Sequence, residues 1–127
     1  MHPISEILFR VYEVLYSRGQ VSFLLTQQNK DAVDSVVKTV NSEYFGLHRY
    51  PSKEDRAVAY LCLLIKRHAL TDGNKRTALL WFDIYCDVEG LHPNEPDFGY
   101  DALAVTIESV PPDEIEDFMA TVKDLLF

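Results

Sequence analysis

The sequence has few of the residues that mark special classes of protein. Only two of its 127 residues are cysteines, Cys62 and Cys86, and both lie in apolar runs. This placement predicts reduced core thiols of a cytoplasmic protein rather than a disulfide framework. Five glycines and six prolines exclude collagen-like and low-complexity chains. The longest wholly apolar run, residues 57–65, is too short to cross a bilayer, so we expect no membrane partner.

Basic residues are also scarce, and they are unevenly distributed. The net charge is −8 and the sequence pI is about 4.8. A field of that sign repels polyanions, so we expect no nucleic-acid partner. Residues 49–76 nevertheless carry a net +4, against −1 for residues 1–48 and −11 for residues 77–127. This cationic island indicates a compact phosphate ligand, although charges on solvated helix faces would explain it equally well.

Apolar residues are abundant, at 47 %, and they recur mostly at helical spacing. The pattern predicts helices over residues 3–18, 27–43, 52–68, 74–89, 99–109 and 112–126. Residues 20–26 fit either a short strand or a core-packed loop, and residues 44–51 fit a loop. Ser52 followed by Asp55 has the spacing of a capping box. We therefore predict one all-α domain spanning residues 1–127.

Two of the predicted helices differ from the others because they have almost no polar face. Residues 57–65 are apolar all round, and residues 78–86 are apolar except for Asp83. A helix of this kind is expected to be buried. The polar nonapeptide between them, His68 to Arg76, is then held by the most rigid part of the molecule, where we expect the chemistry.

The residue types in this turn suit a phosphate compound. Backbone N–H groups of residues 72–74, the start of a helix, and the cations Lys75 and Arg76 would together form an anion-binding nest. The Asp72 carboxylate could hold Mg²⁺ against those phosphates. His68, on the other arm of the turn, could take a proton from an incoming hydroxyl group.

Each of these residues also has a purely structural interpretation. Asp72 could be the N-cap of the second buried helix, and Gly73 could serve only to adopt a left-handed backbone. His68 could complement the C-terminal dipole of the preceding helix. Lys75 and Arg76 could be solvated, although the helix dipole disfavours cations at that end.

The turn resembles the signature of a known family. Its sequence, HALTDGNKR at residues 68–76, is similar to the HxFx(D/E)GN(G/K)R motif of the Fic/Doc (filamentation-induced-by-cAMP and death-on-curing) family. Residues 50–79 resemble its death-on-curing branch, and the resemblance covers residues 50–90. It implies a compact all-α domain whose active-site turn joins two central buried helices. The activity it implies is transfer of part of a nucleotide to a protein hydroxyl.

The resemblance also implies roles for six residues and two small molecules. ATP would be the substrate and Mg²⁺ the accompanying metal ion. The matching positions are His68 for the catalytic base, Asp72 for the Mg²⁺ ligand, Gly73, Asn74 and Lys75 for the phosphate cradle, and Arg76 for the first phosphate-binding arginine.

Three positions depart from the motif of the AMP-transferring branch. Leu70 replaces the usual phenylalanine, Lys75 replaces a glycine, and Leu79 replaces a second arginine. The last two favour the branch that moves a phosphoryl group from ATP to a Ser or Thr hydroxyl. Members of that branch are toxins that block translation by modifying elongation factor Tu, and a small antitoxin silences them. The alternatives are AMP transfer to a Ser, Thr or Tyr hydroxyl, and a non-catalytic relative that binds a nucleotide or a partner.

Self-inhibited members of the family carry an (S/T)xxxE(G/N) motif, and here it is incomplete. The nearest match, Thr39 to Glu43, is followed by Tyr44. We therefore expect an antitoxin to inhibit this chain in trans.

Overall fold

The architecture is helical throughout. A computed structural model describes all residues, 1–127, and its helices are α1 (Pro3–Ser17), α2 (Gln27–Val40), α3 (Lys53–Lys66), α4 (Asn74–Glu89), α5 (Tyr100–Ser109) and α6 (Ile115–Leu126). A 3₁₀ turn (Pro112–Glu114) precedes α6, and two short strands, β1 (Glu43–Tyr44) and β2 (Leu47–His48), form a hairpin. The all-α prediction is confirmed. None of the helices has the length and apolar character needed to cross a membrane.

Helix α3 forms the centre of the core, as its composition predicts. Every residue from Ala57 to Ile65 is buried, and α3 packs against α2, α4, α5 and α6. The predicted capping box is present at its start. Ser52 Oγ accepts from the Asp55 N–H at 3.0 Å, and the Asp55 carboxylate accepts from the Ser52 N–H at 3.2 Å. The helix therefore begins where the sequence predicts and fixes one arm of the turn.

Helix α4 is less fully buried than α3, although within residues 78–86 only Asp83, the one polar residue of that run, is exposed. Its aromatic face packs on α3, where the rings of Trp81 and Tyr60 meet edge to face with centroids 5.6 Å apart. Asp83 and Val88 are exposed on the other side. The reason is its position, because α4 packs against α1, α3 and α5 and leaves its remaining face to solvent.

The two cysteines are free and buried. Burial raises the pKa of the Cys62 thiol and of the Cys86 thiol to about 12 in each case. Neutral buried thiols are poor nucleophiles, in agreement with their predicted role as core residues.

The segment between α1 and α2 is a loop rather than a strand. Residues 20–26 contain no ladder pairing, and Val21 is buried among the core residues. The Tyr12 hydroxyl donates to the carbonyl of Phe23 and ties the segment to α1. Of the two structures that the sequence allows here, the loop is correct, and it packs on the core through Val21 and Leu25 while Phe23 and Leu24 are exposed.

The hairpin lies where the sequence predicts the end of a helix and a plain loop. Helix α2 ends at Val40, three residues early, because Glu43 and Tyr44 pair antiparallel with His48 and Leu47. Phe45 and Gly46, at the tip, both have positive φ, the backbone that a two-residue hairpin turn requires. The Phe45 side chain is 96 % exposed. The prediction of a simple loop over residues 44–51 is therefore incomplete.

Candidate active site

The start of α4 has no side-chain cap, in contrast to α1, α2 and α3. Its N-cap is Gly73, at φ 74° and ψ 24°, and the first backbone bond runs from the Thr77 N–H to the Gly73 carbonyl at 2.9 Å. The N–H groups of residues 74–76 have no acceptor within the protein. These groups carry the positive end of the helix dipole, so they can receive an anion.

Gly73 is required for two reasons. Its positive φ disfavours any residue with a Cβ, so Gly73 does supply the left-handed backbone that its structural interpretation requires. A Cβ at this position would also overlap Cγ1 of Val21, which closes over the turn from the α1–α2 segment. The bare backbone therefore serves both the turn and the close approach of another part of the chain.

Side-chain amides hold the turn together. No backbone–backbone hydrogen bond involves residues 68–72. The Asn74 amide bridges the turn instead, because its Oδ1 accepts from the Leu70 N–H at 3.0 Å and its Nδ2 donates to the Leu70 carbonyl at 2.9 Å. The Asn74 side chain is thus used within the turn, and only its backbone N–H is left for a ligand.

His68 lies directly after Arg67, the C-cap of α3, and has the strained backbone of the turn. Its φ is 45°, a value that is uncommon for a residue with a side chain. The imidazole is exposed and makes no hydrogen bond within the protein. An exposed ring at a helix C-terminus is compatible both with a dipole-complementing role and with proton exchange.

Asp72 points away from the helix it was expected to cap. Its Oδ2 accepts from the Ser22 N–H at 3.1 Å, and no bond joins it to the start of α4. The N-cap interpretation of Asp72 is therefore wrong. The negative charge of Asp72 also adds to burial in raising the pKa of Tyr12.

The residues at the turn fit only one kind of metal site. No group of three or more His, Cys, Asp or Glu residues could hold a metal ion. Asp72 offers one carboxylate oxygen, Oδ1, that has no hydrogen-bond partner in the protein. Mg²⁺ is commonly bound by one or two carboxylates together with substrate phosphates, so Asp72 fits an ion that arrives with a polyphosphate.

The two cations both have protein partners and both remain open to solvent, because the Lys75 side chain is 41 % exposed and Arg76 is exposed. Lys75 Nζ lies 3.0 Å from one carboxylate oxygen of Glu108 and 3.1 Å from the other. Arg76 donates through Nη1 to the carbonyl of Gln20. A phosphate ligand must compete with Glu108 for Lys75, while Arg76 keeps further N–H groups available.

Five of the six predicted site residues line a single cleft of about 670 Å³. They are Asp72, Gly73, Asn74, Lys75 and Arg76. The other wall is the face of α5 that carries Asp101, Ala104, Val105 and Glu108. His68 is not among the lining residues. The structure therefore places the predicted phosphate and metal groups together and leaves the predicted base outside this cleft.

Besides Val21 and Ser22, sequence reasoning missed three residues that act on the turn. The Gln20 carbonyl accepts a hydrogen bond from Arg76, and the Glu108 carboxylate accepts one from Lys75. Asn29 Nδ2 donates to the Ala69 carbonyl at 3.0 Å. They lie 56, 33 and 40 positions from their partners. No local spacing or periodicity in the sequence could have indicated these contacts.

Comparisons with known proteins agree with the resemblance seen in the motif. The family model that matches is that of the Fic/DOC family, over residues 4–86, which is well over half of the chain. The chain is 35 % identical over 68 residues to a curated protein of Mycolicibacterium smegmatis (strain ATCC 700084 / mc(2)155) named Toxin Doc. That alignment covers 52 % of this chain and 52 % of the relative, so the chain spans about half the length of the protein it matches. No solved structure matches the chain significantly.

Proposed function

Because the chain belongs to the Fic/DOC family, we propose that it transfers a phosphoryl group from ATP to a Ser or Thr hydroxyl of another protein. One observation carries the proposal. The uncapped start of α4 shares a cleft of about 670 Å³ with a carboxylate and two cations, at Asp72, Lys75 and Arg76. This is the set of groups that phosphoryl transfer needs, because its catalysis consists mainly of positioning and charge stabilisation.

In this proposal the nest at the start of α4 binds the polyphosphate. The N–H groups of Gly73, Asn74 and Lys75 cradle phosphate oxygens, and Arg76 adds charge-assisted hydrogen bonds. Asp72 would hold Mg²⁺, which supplies neutralisation of the charge on the phosphates when it is bound. The hydrogen bond from Ser22 fixes the Asp72 carboxylate before any ligand arrives.

His68 is the proposed general base. Its imidazole takes the proton of the target hydroxyl as the hydroxyl oxygen bonds to the γ-phosphorus, the bond to ADP breaks, and the proton passes to solvent from the exposed ring. His68 does not line the phosphate cleft, so in this proposal the target hydroxyl lies between the cleft and the α3 arm of the turn, which carries His68.

The choice of the γ-phosphorus rests on Lys75 and Leu79. Leu79 lies in the cleft wall, partly buried against the core, at the motif position where the AMP-transferring branch has an arginine. The chain therefore lacks the second clamp on the terminal phosphates, which favours an orientation with the γ-phosphoryl group toward the hydroxyl. AMP transfer to a Ser, Thr or Tyr hydroxyl is the alternative reaction of the same site.

The biological setting is proposed from the named relative. Toxin Doc supports a toxin whose partner is a small antitoxin acting in trans. We propose that residues 1–127 act as one cytoplasmic domain built around residues 50–90, with elongation factor Tu as the first target to test. Expression of the chain alone should then slow growth, and co-expression of an antitoxin encoded by the adjacent reading frame should restore it.

The experiment compares His68→Ala with the unmodified chain in nucleotide binding and in label transfer from ATP to proteins of a lysate. We expect unchanged Mg·ATP affinity by calorimetry and a loss of transfer of about 10²-fold or more. Transfer that persists in His68→Ala would place the base elsewhere. Binding without transfer in the unmodified chain would show a non-catalytic relative.

A further inference from the structure

The peptide between Ala69 and Leu70, one residue beyond His68, is held by a residue outside the motif. His68 has a φ of 45°, and a strained residue keeps such a conformation only where its surroundings fix it. Backbone hydrogen bonds do not fix it, because none involves residues 68–72. The Asn74 amide fixes Leu70. The Ala69 carbonyl, in the same peptide group as the Leu70 N–H, accepts from Asn29 Nδ2 at 3.0 Å.

Asn29 is itself oriented by the start of α2. Its Oδ1 accepts from the Thr26 N–H at 3.1 Å, and its own N–H donates to Thr26 Oγ1 at 3.0 Å. With Oδ1 engaged in the capping box, the amide nitrogen is directed at the turn, where it also lies 3.5 Å from Thr71 Oγ1. One amide therefore joins the cap of α2 to the Ala69–Leu70 peptide of the turn.

We propose that Asn29 is a positioning residue for His68, and the proposal rests on the function proposed above. By holding the Ala69 carbonyl it fixes the direction in which the chain leaves α3, and with it the position of the imidazole. The start of α4 has further contacts that do not involve Asn29, because Asn74 Nδ2 donates to the Leu70 carbonyl and the Ser22 N–H donates to Asp72. Loss of the Asn29 contact should therefore impair the chemical step more than nucleotide binding.

The capping box supplies two variants with opposite expectations. Asn29→Asp keeps a carboxylate oxygen for the Thr26 N–H and places a negative charge in the first turn of α2, so the cap is preserved or strengthened. It replaces the donor to Ala69 with an acceptor. Thr26→Ala removes the Oγ1 half of the cap and leaves the Asn29 amide with its contact to Ala69. If Asn29 serves only as part of the cap, transfer activity should survive Asn29→Asp and should fall in Thr26→Ala.

Two measurements test the proposal. In steady-state transfer assays, Asn29→Asp should lower kcat by about tenfold or more, with KM for Mg·ATP within about twofold, whereas Thr26→Ala should keep kcat. In hydrogen exchange without nucleotide, the Leu70 N–H should lose protection in Asn29→Asp and keep it in Thr26→Ala.

Two results would overturn the proposal: unchanged kcat and Leu70 protection in Asn29→Asp, or an equal loss of kcat in both variants. If the unmodified chain transfers no label, the proposed function fails, and the exchange measurement still decides whether Asn29 holds the turn.

Discussion

Substitution of Gly73 by alanine tests how closely the α1–α2 segment covers the turn, and Gly90 is a matched control. Gly73 begins α4 at φ 74° and ψ 24°, and Gly90 ends it at φ 72° and ψ 25°. A Cβ at Gly90 meets nothing within 4 Å, whereas a Cβ at Gly73 overlaps Val21 Cγ1. The two glycines thus share a backbone conformation and differ in their surroundings.

The expected free-energy costs follow from that difference. A residue with a Cβ in the left-handed region costs about 1–2 kcal/mol, partly offset by about 0.4–1 kcal/mol from the stiffer unfolded chain. Gly90→Ala should therefore destabilise the protein by about 1 kcal/mol. Overpacking against Val21 adds about 1–3 kcal/mol, so Gly73→Ala should cost about 2–4 kcal/mol.

Urea unfolding of both variants measures the free energies, and a third protein isolates the contact. In a Val21→Ala background, Gly73→Ala should cost about as much as Gly90→Ala, because the overlapping methyl group is gone. Equal costs for Gly73→Ala and Gly90→Ala in the unmodified background would refute the reasoning. Val21 would then not close over the turn.

Three further substitutions test the charges. Glu108→Gln frees Lys75 from a partly exposed ion pair worth about 0.2–1 kcal/mol, so calorimetry should show Mg·ATP bound up to about fivefold tighter. Glu89→Gln, which removes the partner of Lys53, is the control and should leave the affinity unchanged. Equal affinities for Glu108→Gln and the unmodified chain would contradict competition between Glu108 and phosphate for Lys75. Arg76→Ala should weaken Mg·ATP binding by about 1.5–3 kcal/mol, and an unaltered titration would remove its phosphate role. The pKa of Asp34 is held well below its usual range by hydrogen bonds from the Ser5 hydroxyl, then Lys38 and the His2 N–H. The ionised Asp34 carboxylate therefore stabilises the fold above about pH 4, and this stabilisation is lost as the pH falls. In Asp34→Asn the free energy of unfolding should fall less steeply with decreasing pH than in the unmodified chain. Identical dependence on pH in the acid range would refute this.

The parts of the fold that local sequence determines were predictable. Residues 57–65 have no polar face and are buried, and the spacing of Ser52 and Asp55 gives the capping box that is present. The bounds of α4 agree with the prediction because Gly73 and Gly90 adopt left-handed backbone at its ends. In each case the determining residue lies within the element it specifies or directly beside its end.

The errors arise where tertiary contacts decide. Asp72 has the sequence position of an N-cap, yet its carboxylate turns to Ser22, which lies 50 positions away. Pairing between residues 43–44 and 47–48 shortens α2 against a helical pattern that reaches residue 43. The partner of Lys75 lies on α5, which packs beside α4 only after folding. The motif residues were thus predictable, whereas their hydrogen-bond and ion-pair partners, such as Ser22 and Glu108, were not.

Mass spectrometry of the modified target tests the central claim most directly. The unmodified chain, incubated with Mg·ATP and a lysate or purified elongation factor Tu, should add one phosphoryl group to a Ser or Thr residue. His68→Ala should add none. A gain of one AMP group on the target would contradict the claim, because the α-phosphorus would then be the one attacked.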